Sequence, residues 1–252
     1  MPAAHATVLG CRVDAVGSQE AVRTIVALAQ QAEPAIVVTL GTEMVMHAQR
    51  DETFRNVINV SALSLCDTIG VLLAARAQGV PIPERVTGVD LLEPLCRSLA
   101  WEGLSVYLLG AKGDTAARAG EALVARHNGL VIAGARDGYF SSDEDAAVTD
   151  QIRRSGARVV FAGLGSPRQE LWLAANLKET GAAVGIGVGG SLDVLAGDVP
   201  RAPVLWRKLN LEWFYRLVKE PQRWRRQLAL PAFVLLALRE RVAAGFERKR
   251  AA

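Results

Sequence analysis

A chain of 252 residues, half of them hydrophobic, is long enough to bury a large core and too apolar to be disordered as a whole. Its three cysteines, Cys11, Cys66 and Cys96, lie far apart with no CxxC pair, so they suggest neither a disulfide framework nor a zinc site and point to a reducing compartment. Charge is uneven: of 29 Lys and Arg and 26 Asp and Glu, 13 and 4 fall in residues 201–252, which leaves 16 and 22 for residues 1–200, a tail of +9 behind a body of −6.

The first residues, MPAAHATVLG, have no cationic region followed by an apolar run and a cleavage site, so no signal peptide is expected. Short apolar runs suited to strands then alternate with longer amphipathic stretches. Strands are expected at Thr7 to Val16, Ala35 to Leu40, Ser61 to Cys66, Ser105 to Leu109, Leu130 to Ala133, Arg158 to Ala162 and Ala183 to Val188. Helices are expected at Ser18 to Ala32, from near Ile69, and at Leu91 to Ala100, Asp114 to Arg126, Asp143 to Arg154 and Gln169 to Glu179. This alternation implies an α/β fold, a mostly parallel Rossmann-like sheet covered by helices on both faces.

After Pro200 the strand signal ends. Pro203 to Lys219 and the stretch from Pro221 onward read as helices rich in Leu, Trp and Arg, which places a domain boundary near residue 200: an α/β catalytic domain over 1–200 and a helical appendage over 201–252. The longest apolar stretch, Leu228 to Leu238, contains Pro231 and is shorter than the ~18 to 20 residues of a spanning helix. The expected location is therefore the cytosol or a membrane surface. The appendage interleaves its cations with Trp206, Trp213, Phe214, Tyr215 and Trp224, a pattern that fits an anionic partner, phospholipid or nucleic acid.

In parallel sheets ligands collect where strands end and helices begin. Those ends are Thr39 to Thr42, Asp67-Thr68, Gly110 to Gly113, Gly134 to Tyr139, Gly163 to Glu170 and Gly187 to Asp193. Four of the six are glycine-rich, which suits backbone amides approaching a phosphate and equally suits tight turns. Asp67 follows an apolar strand and is placed to act as a general base, or else to cap the helix near Ile69. Arg85, in a loop stiffened by Pro81 and Pro83, suits a diphosphate or an ion pair with Glu84 or another neighbour. Gln169 and Glu170 close Gly163-Leu164-Gly165-Ser166-Pro167-Arg168-Gln169-Glu170 and face the crevice or form an ordinary polar first turn.

Two other patterns carry less. Asp143-Glu144-Asp145 matches an Asp-x-Asp metal motif, yet it opens a helix after Ser141-Ser142, where acids are favoured anyway. His5, His47 and His127 lack ligand spacing, so no catalytic metal is expected. No GxGxxG opens the first strand-helix unit, and Gly185 to Gly190 comes too late in the chain for a dinucleotide fingerprint, which argues against an oxidoreductase.

In order along nearly the whole chain, these segments resemble the WecG/TagA/CpsF family of bacterial glycosyltransferases. The resemblance is carried by Val37-Val38-Thr39-Leu40, Cys66-Asp67, Arg85-Val86-Thr87-Gly88-Val89-Asp90, Gly138-Tyr139-Phe140, the Pro167-Arg168-Gln169-Glu170 block, Gly187 to Asp193, Arg201-Ala202-Pro203 and Leu211 to Leu217. It implies a metal-independent, inverting transfer from a UDP-sugar donor to a polyprenyl-diphosphate-linked sugar on the inner face of the cell membrane, with no cofactor. In the best-known reaction of the family, N-acetylmannosamine is added to undecaprenyl-diphosphate-linked N-acetylglucosamine for wall teichoic acid; relatives use a uronic acid or glucose.

By the same resemblance Asp67 takes the general base position, with Arg85 and Gln169 in catalysis. Thr39 likewise matches a substrate-binding position, and Arg216, Arg223 and Arg226 match basic residues that close over the leaving diphosphate; Gly41, Thr42, Gly110, Tyr139, Gly187, Gly189 and Asp193, at the strand ends, are the further candidates for binding substrate. Gly41 stands where the family has Asn after Thr-Leu, and Thr68 replaces the glycine that follows the Asp. These departures bear on the donor, and Thr42 is the candidate to replace the lost hydrogen bond.

Tail composition alone leaves nucleic acid open; the six polar or glycine-rich strand ends and the family blocks, which a tail-driven binder does not need, favour an anionic membrane surface and no nucleic acid. The apolar side chains of the tail also allow for a homo-oligomer.

Overall fold

The computed structural model of the chain describes residues 4–208, 212–219 and 229–251. It opens with an antiparallel hairpin, β1 (His5–Val8) and β2 (Cys11–Asp14), where a single strand over Thr7 to Val16 was expected. Leu9 and Gly10 both take positive φ, 48° and 80°, and turn the chain between them. A turn with φ > 0 at both central residues has the twist that a tight hairpin requires, but Leu is not the Asn or Gly that would announce it.

Six further strands form one parallel sheet in the order β4-β3-β8-β7-β5-β6: β3 (Ala35–Leu40), β4 (Leu63–Cys66), β5 (Val106–Gly110), β6 (Ile132–Arg136), β7 (Val159–Gly163) and β8 (Val184–Gly187). The expected strands recur within a few residues, and the α/β class with a parallel sheet holds. From β3 and β5 the chain moves outward to β4 and β6, and then returns to lay β7 and β8 between them. The carboxyl ends of the four central strands therefore lie together on one side of the sheet, where folds of this kind form their ligand crevice.

Successive residues of a strand point to opposite faces, and here both sets are buried. On one face Val37, Leu65, Leu108, Phe161 and Ile186 pack with α1 (Ser18–Ala29) and α5 (Gly88–Trp101), together with α6 (Thr115–Arg126) and α9 (Ser191–Leu195). On the other, Val38, Leu40 and Cys66 meet α2 (Thr42–Ala48), α3 (Glu52–Val60) and α4 (Ile69–Ala77). Leu109, Val160 and Ala162 on that same face meet α7 (Asp145–Ser155) and α8 (Arg168–Thr180).

The hairpin covers the edge strand β4. The Asp14 carboxylate, itself paired with Arg12 at 2.8 Å, accepts the Ser64 amide at 2.8 Å. An edge strand whose amides are met in this way is not left as a template for another chain.

Helices α2 and α3 were not expected. Asp51 caps α3 by accepting the Phe54 amide at 2.9 Å, and Phe54, Val57 and Ile58 turn inward at helical spacing. The Asp143-Glu144-Asp145 run does open a helix: Ser141 and Glu144 form a capping box, and the Asp145 carboxylate accepts the Trp172 indole N–H at 2.8 Å.

Beyond residue 200 the expected helix over 203–219 is present as α10 (Val204–Lys208) and α11 (Glu212–Lys219), which meet through a stack of Trp206 on Phe214, ring centroids 6.0 Å apart. The helix expected from Pro221 onward is represented by α12 (Ala229–Ala251), with Pro231 in its first turn. Helix α12 lies on α2 and α4. Its Phe233 is 2% exposed within the core, and its Glu240 accepts the amide of Leu9 in the hairpin turn at 3.2 Å. No helix among the described residues is long and apolar enough to cross a membrane.

Candidate active site

Thr39 stands one residue before the end of β3 and is 8% exposed; its hydroxyl donates to the Gly187 carbonyl of β8 at 2.9 Å. The chain then turns at Gly41 into α2. The buried Thr42 shares a hydroxyl hydrogen bond of 2.8 Å with Thr68, and the Thr68 oxygen also accepts the Thr42 amide at 3.1 Å. Thr68 thus ties the end of β3 to the end of β4.

Asp67 directly follows β4. Its amide donates to the Leu40 carbonyl at 3.1 Å, and its carbonyl accepts from Arg85 at 3.3 Å. A Cβ on Gly41 would stand 3.9 Å from the Asp67 carboxylate. The helix cap position of α4 belongs to Thr68, one residue beyond Asp67. Glu84 does not turn to Arg85; its carboxylate accepts the Ser18 amide at 2.8 Å at the start of α1. Arg76 of α4 holds the loop that carries Arg85 by donating to the carbonyls of Ile82 and Pro83 at 2.8 and 2.7 Å. Burial first, and then the neighbouring Asp67 charge, push the Cys66 thiol up to about 12, with Arg85 and Arg76 acting against them. Cys66 is a thiol at neutral pH and not a nucleophile.

On the other side of β3 the strand ends crowd together. Gly110 takes φ 144°, and a Cβ there would meet the Gly163 carbonyl oxygen at 2.4 Å, so only glycine closes this approach of β5 to β7. The Ala111 carbonyl accepts the Gly138 amide at 2.9 Å, which brings in the loop after β6. Tyr139 on that loop is 76% exposed. Arg168, at the start of α8, holds the same loop by donating to the carbonyls of Gly138 at 2.6 Å and Phe140 at 2.7 Å while its guanidinium lies over the Phe140 ring.

Gln169 is 2% exposed. Its Oε1 accepts the Gly189 amide at 3.0 Å, and its Nε2 donates to Glu170 Oε1 at 2.6 Å. A Cβ on Gly187 would stand 2.6 Å from that nitrogen, so the missing side chain is what admits the pair. Asp193 sits at the next turn, in α9.

The structure therefore links Thr39, Gly187, Gln169 and Gly189 by direct contacts, with Gly41, Thr42, Asp67 and Arg85 to one side and Gly110 and Tyr139 to the other. Arg216 is in α11, its side chain outside the described residues, and Arg223 and Arg226 also lie outside them. Among the described residues no three His, Cys, Asp or Glu side chains converge to hold a metal ion. Residue patterns placed Thr68 and Arg168 at strand ends without giving either a role and did not mark Arg76; the work of all three is done through contacts with segments distant in the chain.

Beside this crevice runs an apolar groove of about 820 Å³ between α4, α12 and β1, lined by Leu73, Ala74, Ala77, Val234 and Leu238 and reaching Gly70 and Phe233. A Cβ on Gly70 would lie 2.8 Å from the Thr42 hydroxyl, so groove and crevice meet at the pair of threonines.

The family model for the glycosyl transferase WecG/TagA/CpsF family matches residues 6–246, the strand ends, the Pro167-Arg168-Gln169-Glu170 block and the appendage included. The chain belongs to the WecG/TagA/CpsF family. It is a glycosyltransferase. Among WecG/TagA/CpsF relatives, it is similar to the N-acetylglucosaminyldiphosphoundecaprenol N-acetyl-beta-D-mannosaminyltransferase of Bacillus subtilis (strain 168), with 34% identity over 206 residues, 82% of this chain and 80% of that protein.

Proposed function

We propose that this glycosyltransferase moves N-acetylmannosamine, or a related hexose or uronic acid, from a UDP donor to a sugar carried on polyprenyl diphosphate, inverting the anomeric carbon without a metal ion. The observation that carries the reading is the position of Asp67 at the crevice, with Arg85 bonded to its carbonyl at 3.3 Å, in a chain similar to a transferase whose name gives an N-acetylglucosaminyl-diphosphoundecaprenol acceptor.

The Asp67 carboxylate takes the proton of the acceptor hydroxyl as that oxygen bonds to the anomeric carbon. The bond from that carbon to the donor diphosphate breaks on the opposite side, and its electron pair leaves with UDP. Gly110, Tyr139, Gly187, Gly189 and Asp193, together with Thr39, Gly41 and Thr42 nearer Asp67, are given to substrate binding, with Gly41 and Thr42 bearing on the donor sugar. Charge growing on the leaving diphosphate is met by Arg85 and by Arg216, Arg223 and Arg226 of the appendage through charge-assisted hydrogen bonds.

Residues 201–252 form a second unit that docks on an anionic membrane surface at the inner face of the cell membrane. Leu205, Phe214 and Val218 on α10 and α11 and Leu235, Leu238 and Val242 on α12 are exposed, an apolar supplement to the cations of the same segment. Each Lys or Arg near an anionic surface contributes about 1 kcal/mol. The groove between α4 and α12 is lined mostly by apolar side chains, with His5, Gln78, Glu240 and Arg241 also in its lining, and its apolar part suits contact with an isoprenoid.

The deciding experiment is a screen of UDP-sugars against polyprenyl-diphosphate-linked N-acetylglucosamine, with and without EDTA. Transfer from UDP-N-acetylmannosamine or a related donor, undiminished by EDTA, is expected. Failure of every UDP-sugar would overturn the reading, and a loss in EDTA reversed by Mn²⁺ would overturn its metal independence.

A further inference from the structure

Glu170 is fully buried, and its Oε2 has no hydrogen-bond partner. Its other oxygen accepts from Gln169 at 2.6 Å. Burial drives the carboxyl above its ordinary value of 4.5, and the hydrogen bond from Gln169, first among the groups acting against it, does not offset this. No charged group is among these causes. The neighbouring cation, Arg168, is turned to the carbonyls of Gly138 and Phe140, and the Thr39 hydroxyl on β3 is committed to Gly187. A buried carboxylate without a cation is far more costly than a buried carboxylic acid.

The amide of Gln169 has two ends, and the Gly189 N–H requires the oxygen end. That leaves the NH₂ end to face Glu170, and the absent side chain at Gly187 leaves room for both. We propose that Glu170 is a positioning residue for the transfer: its buried carboxyl fixes the Gln169 amide across the turn from Gly187 to Gly189 and so holds the backbone lining the crevice. Gln169 then works through the turn as well, since its amide oxygen and one of its N–H groups are engaged within the protein.

The inference deepens the proposed reaction, on which its kinetic part rests, and a melting series tests it separately. A carboxyl raised in the fold contributes stability that is complete below 4.5 and is lost as pH rises through the raised folded value. Glutamine does not titrate. The melting midpoint of Glu170→Gln should therefore gain on that of the wild type as pH rises above 4.5 and through the raised folded value. Parallel curves would overturn the proposal.

In steady-state transfer from the UDP donor to the lipid-linked acceptor, Glu170→Ala should raise the donor KM about tenfold with a smaller change in kcat, the loss of one buried hydrogen bond's worth of order. Glu170→Gln should rescue the KM to within about threefold. Gln169→Ala should match Glu170→Ala, and the double variant should add little, because one residue acts through the other. A Glu170→Gln enzyme as impaired as Glu170→Ala, with its melting intact, would show that the carboxyl itself reacts or must be charged, and would overturn the assignment. A wild type that transfers nothing would sink the proposed reaction while the melting curves still decided the state of Glu170.

Discussion

The methyl carbon of Thr68 lies 3.4 Å from the point where a Cβ on Gly41 would stand. Gly41 and Thr68, read from the sequence as departures from the family pattern, are therefore neighbours in space, and a side chain at Gly41 would come up against Thr68. The Thr68 hydroxyl meanwhile serves Thr42 twice.

It follows that Gly41→Asn alone should be destabilising by roughly 1–3 kcal/mol, the usual cost of overpacking, because atoms beyond Cβ meet Thr68. Gly41→Asn combined with Thr68→Gly should recover part of that loss. A double-mutant cycle by urea denaturation measures the coupling, and additive effects would show that the two sites do not compensate.

Arg201, the first residue of the appendage, pairs with Asp90 at the start of α5, three residues beyond the Thr87 cap. Burial works to raise the Asp90 carboxyl, but the hydrogen bonds from Arg201 and Thr87 outweigh it and hold it below its ordinary 3.8. A lowered carboxyl stabilises above its unfolded value and loses that contribution as pH falls through its folded one. Arg201→Ala should accordingly cost about 1 kcal/mol or less near pH 6, since the pair is half exposed, and progressively less below pH 3.8. Thermal melts of both proteins from pH 6 to 2.5 check the convergence.

Phe233 anchors α12 in the core between α2 and α4. Phe233→Ala should weaken this attachment by about 3–5 kcal/mol, the range for emptying a buried phenylalanine site. Hydrogen exchange should show lost protection along α12 while the strands of the sheet keep theirs, and turnover on lipid-linked acceptor should fall with it. Deleting residues 201–252 should abolish both vesicle binding and turnover.

Regular elements were legible in the sequence because their signals are local. The run Ala35 to Leu40 forms β3 as expected, and alternate apolar residues of β3, β5 and β7 feed both faces of the sheet. What escaped was set by weaker or longer-range causes. The turn at Leu9 and Gly10 uses a residue that rarely takes positive φ, and α2 and α3 are short helices between two apolar strands, although the Asp51 cap was there to be read.

The strand ends could likewise be located before the structure was known, since a parallel sheet puts them on one side. The division of labour among them could not. That Arg168 holds the loop of Tyr139, that Glu84 serves α1 and not Arg85, and that Gln169 spends its amide on Gly189 are contacts between segments some 20 to 66 residues apart. No local pattern records such pairings.

The measurement that bears most directly on the proposed reaction is the turnover of Asp67→Asn with a UDP-sugar and a polyprenyl-diphosphate-linked acceptor. The substitution keeps the side chain's size and removes its basicity, so kcat should drop by about 10²–10⁴, the span attributed to general base catalysis, with the melting midpoint nearly unchanged. A folded Asp67→Asn enzyme with near-wild-type turnover would contradict the account, because no base would then be needed at the end of β4.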